Sequence, residues 1–509
     1  MNAAKKGLFN VFYGLLSQII TICLGLVIPR LVLLSFGSET NGLLNSIAQI
    51  FLYFGIFESG VGAVALHALY VPVEKKDRGS ISGIISAVHE FYSKIGIIYI
   101  FIVIALAFGY PFFVKTEIPY WTIVIVILLG GMGNCLNFLY QAKYKILMQA
   151  EGYSYVSTNI TTIINILTNV VKAGLLLAGY DVIAVQLSFF IISIIQMCIY
   201  HVYVRKHYSW LNLRVLPNRK AIEQKNATLI HEVSGMVFYN TDSLLLMMIT
   251  HNLKIVSIYS MYNSVVAMVV VMINQLGIGF NFRLGQIYNT NKEQYMVLHH
   301  IFEIVYLILV FTTMSIVYVC LLPFMRLYTA GINDINYINE IYPLLFVMIP
   351  LLTYGRTACA NVIGFAGHFK KTQWRAALEA VINVSVSIWG IYNFGIFGAL
   401  MGTMAASLYR TNDIILYTYR HLLKDNPLKT YKRWLASFAV FAIIVAFVKQ
   451  DNIVLDSYIN IILYGCISGV IFAIVFIVVQ CVINPKEVKD IINIAKSYYK
   501  SWKNKKRTA

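Results

Sequence analysis

The sequence predicts an all-α integral membrane protein of about fourteen transmembrane helices, with two six-helix lobes, a terminal helix pair and both termini cytoplasmic. Three observations predict this fold class. Hydrophobic residues make up 59% of the 509 residues and charged residues only 12%. The apolar residues gather in runs of roughly 20 or more, the length that crosses a hydrocarbon core. Along the chain, loops that are rich in basic residues alternate with loops that are poor in them.

The composition indicates that lipid surrounds most of the surface. Mean hydropathy is +0.71, and the charged fraction is half of the roughly 25% that soluble domains carry. Lys5 and Lys6 precede the first run, which is too long for a signal peptide and lacks its cleavage site. We therefore expect that run to be retained as the first span.

Each apolar run is expected to be a helix, because backbone groups in lipid must hydrogen-bond to one another. The predicted spans are, in order, 9–34, 41–70, 93–114, 119–142, 155–178, 182–203, 228–250, 253–282, 298–322, 340–363, 374–394, 396–419, 434–448 and 457–483.

The loop charges predict the orientation. With the N-terminus in the cytoplasm, the outer loops hold Lys115, Lys254, Arg326 and Lys449, whereas the inner loops hold Lys75, Lys76, Arg78, Lys143, Lys145, Arg205, Lys206, Arg214, Arg219, Lys220, Lys225, Lys292, Lys370, Lys371, Lys424, Lys429, Lys432 and Arg433. One miscounted span would destroy this alternation, which follows the positive-inside rule.

A weak internal repeat predicts two halves of the same orientation. Asn45-Ser46 and Asn263-Ser264 each follow a short outer turn and precede a glycine-rich end. The predicted division is an N-terminal lobe (1–204), a basic cytoplasmic linker (205–227), a C-terminal lobe (228–423), the last two helices (424–485) and a basic cytoplasmic tail (486–509).

Several function classes are disfavoured by what the sequence lacks. The net charge of +18 sits in short loops and in Lys486–Arg507, where anionic lipid is the expected partner, and nucleic-acid binding is not expected. There is no G-x-x-x-x-G-K-[ST] loop for ATP-driven pumping. The seven cysteines lie singly, so we predict neither a disulfide framework nor a metal site, and no cofactor or catalytic residue.

The fifth predicted helix carries a polar stripe at spacings of three and four residues, which places its members on one helix face. The stripe consists of Thr158, Thr161, Thr162, Asn165, Thr168, Asn169 and Lys172; a shorter one on the fourth helix consists of Asn134, Asn137 and Gln141. Lipid does not favour such faces, so they line a water-filled cavity or pack on another helix. We expect Thr161, Asn165, Asn169, Asn134 and Asn137 to line a cavity.

Ionisable residues within spans are functional candidates, because a charge costs several kcal/mol in the membrane. Asp242, Arg356 and Arg410 fall near mid-depth, and Arg30, Lys172 and Glu58 lie nearer the ends of their spans; His67, Glu303, Glu379 and Asp413 lie at the inner edge, where they are expected to reach water. Arg30, Lys172, Arg356 and Arg410 would form a cationic lining for a phosphate-bearing substrate. Asp242 and Glu58 would couple transport to an ion. Alternatively, these acids and bases pair across helices and fix the packing.

Several motifs resemble those of the polysaccharide repeat-unit (Wzx-like) flippases of the multidrug/oligosaccharidyl-lipid/polysaccharide (MOP) exporter superfamily. They are Ile28-Pro29-Arg30, Phe36-Gly37-Ser38-Glu39-Thr40-Asn41-Gly42, Phe54-Gly55-Ile56-Phe57-Glu58-Ser59-Gly60-Val61-Gly62, His231, Val237-Phe238-Tyr239-Asn240-Thr241-Asp242 and Val256-Ser257-Ile258-Tyr259-Ser260. The resemblance covers the predicted twelve-helix core, and Arg30 and Asp242 are the candidate residues that it matches.

The resemblance implies a two-lobe bundle with a central cationic cavity and alternating access. The implied substrate is an oligosaccharide repeat unit of O-antigen or capsule on an undecaprenyl pyrophosphate carrier, moved by H⁺ or Na⁺ coupling across a bacterial cytoplasmic membrane. A polysaccharide polymerase complex is a further implied partner. The first half holds fewer arginines than peptidoglycan-precursor flippases do, which disfavours that substrate.

Two other classes stay open at the sequence level. A cation-coupled multidrug exporter of the same superfamily would have more acids than bases in its cavity. A structural scaffold of a polysaccharide assembly complex, with no transport of its own, is the other. A membrane glycan polymerase or ligase is disfavoured, because every loop is short and an acceptor needs a sizeable one. We therefore predict a transporter and not an enzyme.

Overall fold

The computed structural model describes residues 3–222, 236, 240–450, 453–491 and 493. The end of the predicted linker, His231, Val237-Phe238-Tyr239 and most of the basic tail lie outside these residues. Within them the chain is largely helical, with an isolated bridge between Lys115 and Asn252.

The long α-helices of the described residues fall into a group before residue 208 and a group after residue 252. The first seven are α1 (Ala3–Phe54), α2 (Ile56–Glu74), α3 (Arg78–Phe113), α4 (Tyr120–Leu136), α5 (Ala142–Ala150), α6 (Ser154–Leu177) and α7 (Val182–His207). The next eight are α8 (Leu253–Thr290), α9 (Lys292–Tyr328), α10 (Tyr342–Gly355), α11 (Thr357–Phe365), α12 (Phe369–Phe394), α13 (Ile396–Tyr417), α14 (Leu428–Phe447) and α15 (Tyr458–Ile483). Residues 240–250 are also helical.

Eleven helices among the described residues are long and apolar enough to cross a membrane. The predicted all-helical, multi-pass membrane class is therefore confirmed. One stretch, Phe12–Tyr53, contains most of the first predicted span and the start of the second in a single bent helix. The count of about fourteen spans, the two six-helix lobes with a terminal pair, and the cytoplasmic termini stay predictions.

The bend in α1 lies at Gly37, whose φ of 77° and ψ of −178° are not helical. Side chains disfavour that φ, whereas glycine adopts it freely, so the turn between the first two predicted spans forms here. The helix restarts at Ser38, whose backbone N–H and Oγ donate to the Asp334 carboxylate over 2.8 and 2.7 Å. Asp334 thereby satisfies a backbone donor that the restarting helix would otherwise leave open.

The first compact unit comprises Met1–Met261 with Gly331–Ile335. One hydrophobic core of this unit joins α2, α3, α5 and α7 through the buried side chains of Val61, Ile85, Leu147 and Tyr200. On α4, a Cβ at Gly131 would lie 2.4 Å from Cγ1 of Val103. Since real contacts are not that short, glycine lets α3 approach α4 closely.

The second compact unit comprises Tyr262–Ala330 with Asn336–Ala509. Helices α12 and α13 form a hairpin whose backbones nearly touch, because a Cβ at Gly398 would lie 1.8 Å from the carbonyl carbon of Gly390. Helix α9 is extensively buried and packs on α10, α14 and α15. The predicted division of the chain into lobes, linker and terminal pair stays a prediction.

Arg433 ties three helices of the second unit together. It is fully buried, and its Nε donates to Asn484 Oδ1 over 2.8 Å. Its Nη1 donates to His300 Nδ1 over 3.0 Å and also contacts Glu303, while its Nη2 donates to Glu487 Oε1 over 2.7 Å. The expectation that Glu303 reaches water is wrong: its side chain is 1% exposed, and the guanidinium neutralises it.

Candidate substrate-binding site

A cavity of about 260 Å³ lies in the first unit between α1, α4, α6 and α7. We name it the Lys172 cavity. Its polar lining residues are Asn41, Asn45, Asn134, Lys172 and Gln186. Its remaining walls are apolar or glycine, and the described lining holds no carboxylate.

Lys172 is the charge of this cavity. It lies five residues before the end of α6, and its Nζ is 5.3 Å from the centroid of the Phe189 ring. No carboxylate among the described residues pairs with it. A cation–π contact contributes about 0.5–2 kcal/mol, whereas a lysine within a membrane costs about 2.5–3.5 kcal/mol. The contact therefore offsets only part of the cost, and a bound anion would offset more.

The amides around Lys172 come from three helices. Asn41 and Asn45 are one turn apart on α1, and Asn45 Nδ2 donates to Asn41 O over 2.9 Å. Asn41 Nδ2 donates to Ser257 Oγ over 2.7 Å, so this amide is already anchored. Asn134 on α4 and Gln186 on α7 complete the polar lining. Amides both donate and accept, so the cavity can hydrogen-bond hydroxyl groups as well as an anion.

The predicted stripe on α6 divides between two environments. Lys172 lines the cavity, whereas Thr162 is buried and its Oγ1 donates to Ser17 Oγ on α1 over 2.7 Å. Thr161, Asn165 and Asn169 lie half-buried elsewhere on α6, and Asn169 Nδ2 donates to Asn165 O over 2.7 Å. Helix packing thus accounts for Thr162, and cavity lining for Lys172.

The other predicted residues of the first unit have different surroundings. Arg30 is half-buried on α1, directly after Pro29, which lines the Lys172 cavity. Asp242 is buried in the helical segment 240–250 and accepts a hydrogen bond from Tyr259 Oη over 3.0 Å. The side chains of Glu58 and Asn137 lie outside the described residues.

Arg356 and Arg410 lie in an ionic network of the second unit. Arg356 Nη2 is 2.8 Å from Glu379 Oε1, and Arg410 Nε is 3.4 Å from Glu379 Oε2. Arg410 Nη1 is 2.7 Å from Asp413 Oδ2, and Arg375 contacts the other oxygen of Asp413. Three guanidinium groups against two carboxylates leave a net charge of +1.

This network was partly visible in the sequence. Glu379 was expected to reach water, and that is wrong: it is 7% exposed, because two arginines hold it. His67 is exposed, and its access to water stays a prediction. The spacing of three between Arg410 and Asp413 was a signal for a pair on one helix face. Arg375 and Glu379 also share one helix, α12, and pair with Asp413 and Arg410 on α13.

One cluster in the second unit has the residue types of a metal site. The ligand atoms of His299, His300 and Glu303 lie within 4.8 Å of one another. The Arg433 guanidinium contacts both His300 and Glu303. A cation already occupies the side of this cluster that a metal ion would need, so the arrangement does not favour one.

Comparisons with known proteins place the fold. No protein-family model matches the sequence, and no curated protein resembles it in sequence. The lipid II flippase MurJ in an inward-closed conformation matches with a TM-score of 0.66 at 16% identity, over 95% of this chain and 99% of MurJ. The chain shares the fold of this flippase. The predicted resemblance is thereby confirmed at the level of the fold.

Two transporters of the multidrug resistance (MATE) family also match. An inward-facing MATE transporter of the MOP superfamily gives a TM-score of 0.63 at 12% identity, over 79% of this chain and 95% of its own length. The Vibrio cholerae transporter VcmN gives 0.56 at 14% identity, over 84% of this chain and 98% of its own. All three matches are transporters or flippases, and none is an enzyme.

Proposed function

We propose that this protein is a flippase for oligosaccharide repeat units linked to a polyprenyl pyrophosphate. The observation that carries the proposal is the Lys172 cavity, which offers one cation without a described carboxylate partner and a set of amides. A pyrophosphate needs the cation, and sugar hydroxyls need groups that both donate and accept. A cationic drug would be repelled by Lys172.

An apolar groove in the second unit supports a lipid-linked substrate. It has a volume of about 690 Å³ and lies between α8, α9 and α15. Its walls include Val265, Ile316, Phe324, Ile462 and Val470. A surface of this kind can pack against an isoprenoid chain through van der Waals contacts, because both are apolar and the chain stays in a hydrocarbon environment.

The extent of the structural matches also favours a flippase over a drug exporter. The match with MurJ spans nearly the whole chain, whereas the match with the inward-facing MATE transporter leaves about a fifth of it uncovered. The exporter is the second candidate, favoured by the buried acid Asp242, which in that case would bind the coupling cation.

On this proposal the substrate enters from the cytoplasmic leaflet and leaves to the outer leaflet of a bacterial cytoplasmic membrane by alternating access. In the first unit Lys172 contributes the cation and Asn134 part of the polar lining of the cavity. Arg30, Thr161, Asn165 and Asn169, which do not line the Lys172 cavity, would contact the substrate elsewhere along its path. Asp242 and Glu58 carry the coupling H⁺ or Na⁺. Arg356 and Arg410 contribute through the net charge of their network. A polymerase complex consumes the exported units.

The first test is deletion of the gene in its host. Under the proposal, complete repeat units accumulate on the polyprenyl carrier at the cytoplasmic face, and surface polysaccharide disappears. If the pool of lipid-linked repeat units is unchanged and the cells become sensitive to cationic drugs, the exporter function replaces the flippase function.

Complementation then tests the cavity. Lys172→Gln removes the charge and shortens the side chain by one atom, and a charge-assisted hydrogen bond is worth about 1.5–3 kcal/mol. We expect export to fall by about 10- to 100-fold, with partial recovery in Lys172→Arg. Lys75→Gln, at an exposed loop lysine, is the matched control. Full export by Lys172→Gln at normal protein levels contradicts the proposal.

A further inference from the structure

A second charged cavity lies in the second unit, where α14 begins and α15 ends. Its volume is about 580 Å³, and four lysines line it: Lys424, Lys429, Lys432 and Lys486. The apolar segment Leu428–Phe447 begins beside it, and the apolar segment Tyr458–Ile483 ends beside it. The cavity therefore lies at the level where a helix leaves hydrocarbon for headgroups. The proposed transport cycle does not use it.

Two of the acids that line this cavity already have basic partners. Asp425 is 2.9 Å from Lys429 Nζ and 3.1 Å from His300 Nε2. Burial raises the pKa of the Asp425 carboxyl, but hydrogen bonds from Lys429, the next backbone N–H and His300 outweigh burial and hold the pKa below its ordinary value. Glu487 accepts a hydrogen bond from the buried Arg433. Neither acid is therefore available to the remaining lysines.

Three lysines of the cavity are left without a counter-charge. Lys424, Lys432 and Lys486 are exposed, and no hydrogen bond or ion pair engages them among the described residues. Asp490 is the remaining acid in the lining. Glu487 shares the Arg433 guanidinium with Glu303, so one guanidinium compensates two carboxylates. The open charges therefore sum to +1, three lysines against Asp490 and one uncompensated carboxylate, in a cavity that opens to the surface. An anion is the ligand that this arrangement favours.

The same cavity has an apolar side. Met296, Val297, Leu423 and Ile483 line it together with the lysines. A free phosphate would gain nothing from these side chains, whereas a phosphate that is attached to glycerol and acyl chains would cover them. The volume falls in the range of about 300–1,000 Å³ of pockets that hold whole small molecules.

We propose that this cavity binds the phosphate-bearing headgroup of an anionic phospholipid. Lys424, Lys432 and Lys486 hold the phosphate, and Met296, Val297 and Ile483 contact the glycerol and the first methylenes. The site is independent of the transported substrate. The bound lipid would link the beginning of α14, the end of α15 and the beginning of α9.

The test uses the purified full-length protein in detergent, with lipid binding measured by native mass spectrometry. Phosphatidylglycerol is compared with phosphatidylcholine of the same chains. The variant Lys424→Gln/Lys432→Gln/Lys486→Gln is compared with Lys75→Gln/Lys76→Gln/Lys206→Gln, three exposed lysines that do not line the cavity. An interfacial lysine strengthens anionic lipid binding about fivefold, so the cavity variant loses up to about 100-fold in affinity.

Retention of phosphatidylglycerol binding by the control, and its loss in the cavity variant, supports the site. Equal losses in both variants overturn it, because diffuse charge would then explain the binding. Displacement of phosphatidylglycerol by millimolar inorganic phosphate also overturns it, in favour of a free phosphate ligand. Both variants must elute as monodisperse proteins with wild-type melting temperatures in lipid-free detergent; a cavity variant that fails this is replaced by the three single substitutions.

Discussion

Glu379 is the acid that two buried arginines share, and its removal separates packing from substrate binding. Glu379→Gln raises the charge of the network from +1 to +2 and leaves Arg356 without its 2.8 Å carboxylate partner. Breaking a buried ion pair costs about 3–5 kcal/mol. We expect the free energy of unfolding to fall by about that amount, as measured by thermal and denaturant unfolding in detergent.

The double variant Arg356→Gln/Glu379→Gln decides the role of the arginine. It restores a charge of +1. We therefore expect the double variant to lose less unfolding free energy than the two single variants lose together, with a coupling energy of about 0.5–3 kcal/mol. Recovered stability without export shows that Arg356 acts on the substrate; recovery of both shows that it acts in packing. Wild-type stability of Glu379→Gln, or strictly additive losses, would refute the ion network. Glu90→Gln, which breaks an exposed pair with Arg219, is the control and should change little.

Two further substitutions test the packing. Gly42→Ala would place a Cβ 1.9 Å from the carbonyl oxygen of Leu253, so we expect a loss of about 1–3 kcal/mol in unfolding free energy. Gly14→Ala, with open space around it, should be neutral, and equal melting temperatures for the two would contradict the close approach. Arg433→Gln leaves Glu303 without its buried partner and should cost about 3–5 kcal/mol; a protein that still folds with an unchanged melting temperature disproves that role.

The position of a residue along its span could be inferred from the sequence, but the residues that it faces on neighbouring helices could not. Composition and run length predicted the membrane class, because the bilayer fixes the length of a span. The stripe on α6 predicted a polar face, and Lys172 does line a cavity together with Asn134. Gln186 was missed, because it stands alone in an apolar run. Its place in the cavity lining depends on how the neighbouring helices pack.

The partners of Arg356 and Arg410 illustrate the same limit. Both were chosen for their depth, and depth does not reveal that Glu379 on α12 faces them. The position of Glu379 in its span suggested water access, yet contacts from two helices bury it. Within one helix the spacing of Arg410 and Asp413 sufficed; across helices the tertiary packing decides.

The hydrogen bonds between Ser38 and Asp334 set an order of events during synthesis. The two residues are 296 positions apart. At about 5–20 residues per second, a ribosome needs on the order of 15–60 s to make the intervening chain. During that time the restart of α1 after Gly37 has no carboxylate from Asp334 to accept its first backbone N–H. The N-terminal helices thus enter the membrane long before this contact can form, and the acid that completes the turn comes from the second half of the chain.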